Sequence, residues 1–128
     1  MIRILLVDDQ ATVRQGWRMR LALEPDMDVV GEASDGLQAL QLAQELLPDV
    51  LLVDLEMPGM DGVDAVRRLA EKGLPSVAVI ISIYDSRENR RRARQAGAVA
   101  FVGKQQPTDV LLAAIRQAAG GGRRSAVE

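Results

Sequence analysis

Apolar residues along the chain switch repeatedly between two periods. The run "IRILLV" over 2–7 is short, continuous and closed by Asp8-Asp9, the pattern of a strand buried on both faces. From Ala11 to Leu23 the residues Val13, Trp17 and Leu21 recur at every fourth position, which predicts a helix that Pro25 stops. "MDVVGEA" over 27–33 predicts a second strand. Asp35 is placed to cap the next helix with Gln38 at the reciprocal position; Leu37, Leu40 and Leu47 mark its inner face, and Pro48 ends it. "VLLV" over 50–53 is a third strand, too apolar to have a wet face. "DLEMPGMDG" reads as a loop, and Asp61 caps a helix carrying Val63, Val66 and Ala70. "SVAVIIS" over 76–82 is the fourth strand. Asp85 or Ser86 caps a helix from Arg87 to about Gln95, which Gly97 stops. "VAFV" over 99–102 is the fifth strand, and Pro107 opens a last helix to about Ala119, with Leu111 and Ile115 facing in.

Strict β-α alternation implies a parallel sheet with helices on both faces. Five units are too few for an eight-fold barrel, so the expected fold is α/β, a flavodoxin-like (βα)5 open doubly wound sheet with strand order 2-1-3-4-5. One domain is expected over residues 1–119. The stretch "GGGRRSAVE" over 120–128 is Gly-rich, charged and aperiodic, and is expected to be a flexible tail or the start of a linker.

Composition narrows the chemistry. The chain has no cysteine and no histidine, which excludes disulfides, thiolate or imidazole metal sites and any His-based triad. Its three aromatics, Trp17, Tyr84 and Phe101, are too few for a base-stacking platform. No apolar run approaches the roughly 20 residues of a membrane span, and "MIRILLVDDQ" is not a signal peptide, so a cytoplasmic protein is expected. Net charge is −2 but lopsided: residues 1–64 hold 13 acids and 4 bases, residues 65–128 hold 5 acids and 12 bases. Acids gathered at one site and arginines on one helix would account for this, as would an interaction surface.

In open α/β sheets, ligands sit beyond the carboxyl ends of the strands, at the switch point. Here strand 1 ends in Asp8-Asp9, strand 3 in Asp54, strand 4 in Ser82 and strand 5 near Lys104. A lone Asp after a strand is usually a helix cap, a lone Lys a solvated charge, and a lone Ser an ordinary hydroxyl. Their coincidence at four adjacent strand ends is what calls for chemistry. Carboxylates crowded in one crevice repel unless a cation binds or some are protonated. Oxygen-only donors point to Mg²⁺ rather than zinc, and Mg²⁺ keeps waters and takes phosphate as a further ligand. With Lys104 as a counter-charge and Ser82 as a hydroxyl donor, the set describes phosphoryl transfer to an aspartate.

"ILLVDD" (4–9), "PDVLLVDLEMPGMDG" (48–62), Ser82 and "GAVAFVGK" (97–104) together resemble the receiver domain of two-component response regulators, over residues 2 to about 119. "GEASDGLQAL" and "DVLLAAIRQAAGG" resemble the NarL/LuxR-type subgroup, which joins its receiver to a C-terminal helix-turn-helix domain. The resemblance implies that Asp54 is the phosphoacceptor and that Asp9 and Asp54 ligate Mg²⁺ directly, Asp8 through water and Glu56 through its backbone carbonyl. It implies that Ser82 moves toward the phosphoryl group, that Lys104 binds it and that Phe101 turns inward on activation. It implies a sensor histidine kinase as donor, a helix 4–strand 5–helix 5 output face that also allows a homodimer on activation, DNA contact only through a domain outside this chain, and a switch rather than an enzyme.

The sequence departs from the family pattern in several places. Ile83 follows the strand-4 hydroxyl where many receivers have a small residue, and Tyr84 comes next; both are expected to narrow access to Asp54. Glu56 adds negative charge near the acceptor. Gln105 stands where many receivers have proline, and helix 4 carries Arg87, Arg90, Arg91, Arg92 and Arg94 against Glu88. The alternative reading keeps the fold and drops the switch: a receiver-like interaction module rarely or never phosphorylated. An aspartate-nucleophile phosphatase would place D-x-D after its first strand, whereas here Asp54-Leu55-Glu56 follows the third.

Overall fold

Strands and helices alternate along the chain as β1 (Ile2–Val7), α1 (Ala11–Leu21), β2 (Met27–Ala33), α2 (Gly36–Leu46), β3 (Val50–Asp54), α3 (Gly62–Glu71), β4 (Val77–Ser82), α4 (Arg87–Ala96), β5 (Ala100–Gly103) and α5 (Thr108–Val127). This computed structural model describes residues 1–127, with side chains described through Gly121. The strands form one sheet in the order β2-β1-β3-β4-β5, every pair parallel, which is the expected flavodoxin-like topology.

The period of two along each strand divides the core into two layers. Leu5, Val7, Leu51, Val53, Ala78 and Ile80 face α2, α3 and α4, whose Leu40, Val66 and Ala93 complete that layer. Ile4, Leu6, Val50, Leu52, Val79 and Ile81 face α1 and α5, met by Leu21, Leu111 and Ile115. β3 and β4 are buried along their whole length, as their unbroken apolar runs require. Each fully buried Leu, Ile or Val contributes about 1.5–3 kcal/mol relative to exposure. Among the described residues no helix is long and apolar enough to cross a membrane.

The caps follow the sequence closely. Asp35, Asp61 and Ser86 each accept a hydrogen bond from the backbone N–H three residues on, at 2.8, 2.9 and 3.1 Å. Ser86, not Asp85, therefore caps α4; Gly97 ends it at φ 109°, a left-handed conformation that glycine adopts without steric cost.

Four expectations are corrected. The first helix ends at Leu21, two residues early, and Leu23 stands in solvent. In α2 only Leu40 of the three expected leucines is buried; Gly36, Ala39 and Ala43 share its face. Leu37 lies one step of 100° around the helix from Gly36, and Leu47 has left the helix at φ 47°, since the following Pro48 disfavours the α region at that position. In α3 the buried continuation of Val63 and Val66 is Leu69, and the neighbouring Ala70 is exposed. The last helix runs to Val127 instead of stopping near Ala119, because glycines lower helix propensity without terminating a helix that retains its N–H groups. From residue 122 on, the expected tail falls outside the residues whose side chains are described.

Candidate functional site

Strand register brings the candidate residues to one edge. Val7 pairs with Val53, so Asp8 and Asp54 leave adjacent strands side by side. Ser82 pairs with Gly103, and the Lys104 backbone N–H donates to the Ser82 carbonyl at 2.8 Å. The close approach of α3 to this edge depends on Gly62: a Cβ there would collide with the Asp54 carbonyl oxygen and Leu55 Cα.

The carboxylates of Asp8, Asp9 and Asp54 each offer an oxygen within 4.8 Å of the others. Asp8 and Asp54 are both 3% exposed, while Asp9 is exposed. The Lys104 Nζ lies 3.2 Å from Asp54 Oδ1 and 3.8 Å from Asp8 Oδ2. One ammonium against three carboxylates leaves the cluster negative. Burial first, then the charge of Asp8, push the Asp54 carboxyl up to about 6, against the pull of Lys104. Asp8 Oδ1 accepts from the Gln10 backbone N–H at 2.9 Å, whereas Oδ2 is buried with no hydrogen-bond donor. A buried acceptor without a donor costs about 1–3 kcal/mol. This donor set, hard oxygens with one buried carboxylate atom that has the Lys104 charge nearby but no hydrogen bond, fits a hard divalent cation and offers nothing to a soft one.

The Ser82 hydroxyl, which is fully buried, does not bond to Asp54 here. It donates to Glu56 Oε2 at 2.5 Å and accepts from the Tyr84 backbone N–H at 2.9 Å. Glu56 Oε1 accepts from the Ile83 backbone N–H at 3.1 Å. The Glu56 side chain thus joins the loop after β3 to the end of β4, a role its sequence position did not reveal. Ile83 and Tyr84, the residues expected to narrow access to Asp54, are 48% and 62% exposed, so about half of each faces solvent at the end of β4. Sequence reasoning also missed Arg14, which donates to the Asp8 carbonyl at 2.6 Å and to Glu32 Oε1 at 2.9 Å, tying α1 to the first strand end.

Phe101 is half-buried, with the Arg90 guanidinium 5.0 Å over its ring. Arg90 also donates two hydrogen bonds to Asp85, at 2.6 and 2.9 Å, and holds that carboxyl below the usual range. Arg91 pairs with Glu88 and Arg92 with Asp61. Much of the charge run on α4 is therefore a solvated, internally paired face.

The response regulator receiver domain family matches residues 4–116. The chain belongs to this family. The receiver domain is 41% identical over 118 residues to the nitrate/nitrite response regulator protein NarL of Escherichia coli (strain K12), covering 92% of the chain and 55% of NarL. It is 41% identical over 122 residues to the transcriptional regulatory protein LiaR of Bacillus subtilis (strain 168), covering 94% of the chain and 57% of LiaR. The signal receiver domain of a response regulator NarL from Mycobacterium tuberculosis superposes with a TM-score of 0.89 at 36% identity, covering 94% of this chain and 97% of that one. The receiver domain is of the NarL/LuxR type. It spans about half the length of the curated relatives it matches.

Proposed function

We propose that this receiver domain accepts a phosphoryl group on Asp54 from the phosphohistidine of a sensor histidine kinase. The observation that carries the reading is the buried Asp54 carboxylate, 3.2 Å from Lys104 and beside an Asp8 oxygen that lacks a donor. An Asp54 oxygen attacks phosphorus; the new O–P bond forms as the P–N bond to the donor imidazole breaks, and the imidazole nitrogen keeps the electron pair. Asp54 must be ionised to attack, and with its carboxyl pushed up to about 6 it is mostly carboxylate at neutral pH. The raised value also makes it a better nucleophile than an ordinary surface carboxylate. Lys104 then meets the charge on the phosphoryl oxygens, and the Ser82 hydroxyl supplies a neutral donor once released from Glu56.

Asp8, Asp9, Asp54 and the backbone carbonyl of Glu56 are the groups that would hold Mg²⁺. When bound, the ion offsets the carboxylate charge and that of the incoming phosphoryl dianion. In this reading the domain is a switch and not an enzyme. Phosphorylation reshapes the face built from α4, β5 and α5, with Phe101 turning inward, and allows a homodimer. The output is transcription control through a DNA-binding domain outside this chain, in the cytoplasm. NarL and LiaR, named as regulators and about twice as long, support that view.

The test is incubation with acetyl phosphate and Mg²⁺, read by intact mass. The expected result is one added phosphate, absent in EDTA and absent in Asp54→Asn. A wild type that stays unmodified would favour the receiver-like interaction module that is never phosphorylated.

A further inference from the structure

A hydroxyl has one proton to give. Ser82 is fully buried, and its proton is committed to the Glu56 carboxylate at 2.5 Å, a charge-assisted bond. The alternative acceptor, the Tyr84 carbonyl at 3.2 Å, is the weaker partner. The other Glu56 oxygen holds the Ile83 N–H, and the Glu56 backbone N–H makes a long contact of 3.4 Å to Asp54 Oδ1. One residue thus touches the acceptor with its main chain and holds the end of β4 with its side chain.

We propose that Glu56 is a positioning residue for the phosphorylation reaction: its carboxylate holds Ser82 and Ile83 in a conformation that withholds the hydroxyl from Asp54. The inference rests on Asp54 being the acceptor. Before Ser82 can bond to a phosphoryl oxygen, its bond to Glu56 must break. Any anion that needs the Ser82 hydroxyl then binds with an affinity reduced by the fraction of molecules in which the bond is open. A charge-assisted bond net of solvent competition corresponds to a factor of about ten. Truncating the Glu56 side chain would leave its backbone carbonyl in place while removing the acceptor for Ser82 and Ile83.

The experiment has two readouts. In metal-free protein, amide hydrogen exchange at Ile83 should quicken severalfold in Glu56→Ala, with the rest of the sheet unchanged. In the second, beryllium fluoride with Mg²⁺ serves as the phosphoryl mimic, and its apparent dissociation constant is measured for wild type, Glu56→Ala, Ser82→Ala and the double variant. Loss of one negative charge tightens binding somewhat in either background. The positioning role requires Glu56→Ala to tighten it about tenfold more when Ser82 is present than when it is absent. Glu56→Gln, which keeps an acceptor for the hydroxyl, should fall between wild type and Glu56→Ala. Equal tightening in both backgrounds, or an unchanged Ile83 exchange rate, overturns the proposal while leaving Asp54 as acceptor. A wild type that takes neither the mimic nor phosphate from acetyl phosphate overturns the underlying function instead.

Discussion

Asp54→Asn should stabilise the metal-free protein at neutral pH, although it removes half of an ion pair. Asp54 is 3% exposed, and its carboxyl is pushed from 3.8 up to about 6, chiefly by burial and then by Asp8. The folded state therefore holds the Asp54 proton more tightly than the unfolded chain does. Its contribution to stability is complete below pH 3.8 and is lost as pH rises through about 6. At about 1.4 kcal/mol per unit, ionising Asp54 in the fold costs roughly 3 kcal/mol by pH 7.5. Asparagine mimics the neutral acid at every pH. The variant should gain about 2–3 kcal/mol at pH 7.5 and almost nothing near pH 4, a Tm rise on the order of 10 °C at neutral pH for a domain of this length. Urea unfolding in EDTA, run on both proteins from about pH 4 to 8, gives the comparison directly. Wild-type stability should fall between about pH 4 and 6.5 relative to the variant. Parallel curves would show that Asp54 is not charged at a cost in the fold, and the electrostatic account of the site would be wrong.

Three further outcomes follow from the same geometry. Mg²⁺ should raise the wild-type Tm, since a ligand at a hundredfold excess over its Kd contributes about 2.7 kcal/mol, and Asp9→Ala should abolish that response in a thermal melt. Lys104→Ala should lower stability by about 2–4 kcal/mol at pH 7.5, because it leaves two buried carboxylates without their cation, and by less near pH 4, where Asp54 is protonated; urea midpoints at the two pH values test the difference. Gly62→Ala should cost about 1–3 kcal/mol by urea unfolding, since its Cβ meets backbone atoms of Asp54 and Leu55 that have nowhere to go.

The sheet was legible because β1, β3 and β4 are largely apolar on both faces, and with five β-α units, too few for a barrel, a doubly wound arrangement is what covers such strands. The acidic site was legible for a related reason: Asp8, Asp9, Asp54, Ser82 and Lys104 each end or follow a strand, and parallel register turns five scattered positions into one edge. What escaped were contacts that obey no period. Glu56 and Ser82 are 26 positions apart, and nothing in either neighbourhood marks them as partners. Arg14 is one of three arginines on α1 and no sequence pattern sets it apart, yet it holds the carbonyl of Asp8. Leu37 and Leu47 fall off the buried face of α2 because apolar character does not by itself fix helical phase; the residues α2 does bury include Gly36 and Ala39, which carry little hydrophobic signal. The arginines of α4 stand out in the sequence by number, but their partners do not: Asp85, Glu88 and Asp61 engage three of the five.

The central claim is that the phosphoryl group goes to Asp54 and to no other carboxylate of the cluster. Asp8 is equally buried and lies beside it, so geometry alone makes Asp8 the strongest competitor. The direct measurement is borohydride reduction of the phosphorylated protein, which converts an acyl phosphate to an alcohol, followed by peptide mapping by tandem mass spectrometry. The account predicts homoserine at position 54, with Asp8, Asp9 and Glu56 unmodified. Reduction at Asp8 or Asp9, or none at Asp54 in protein that carries phosphate, would contradict it.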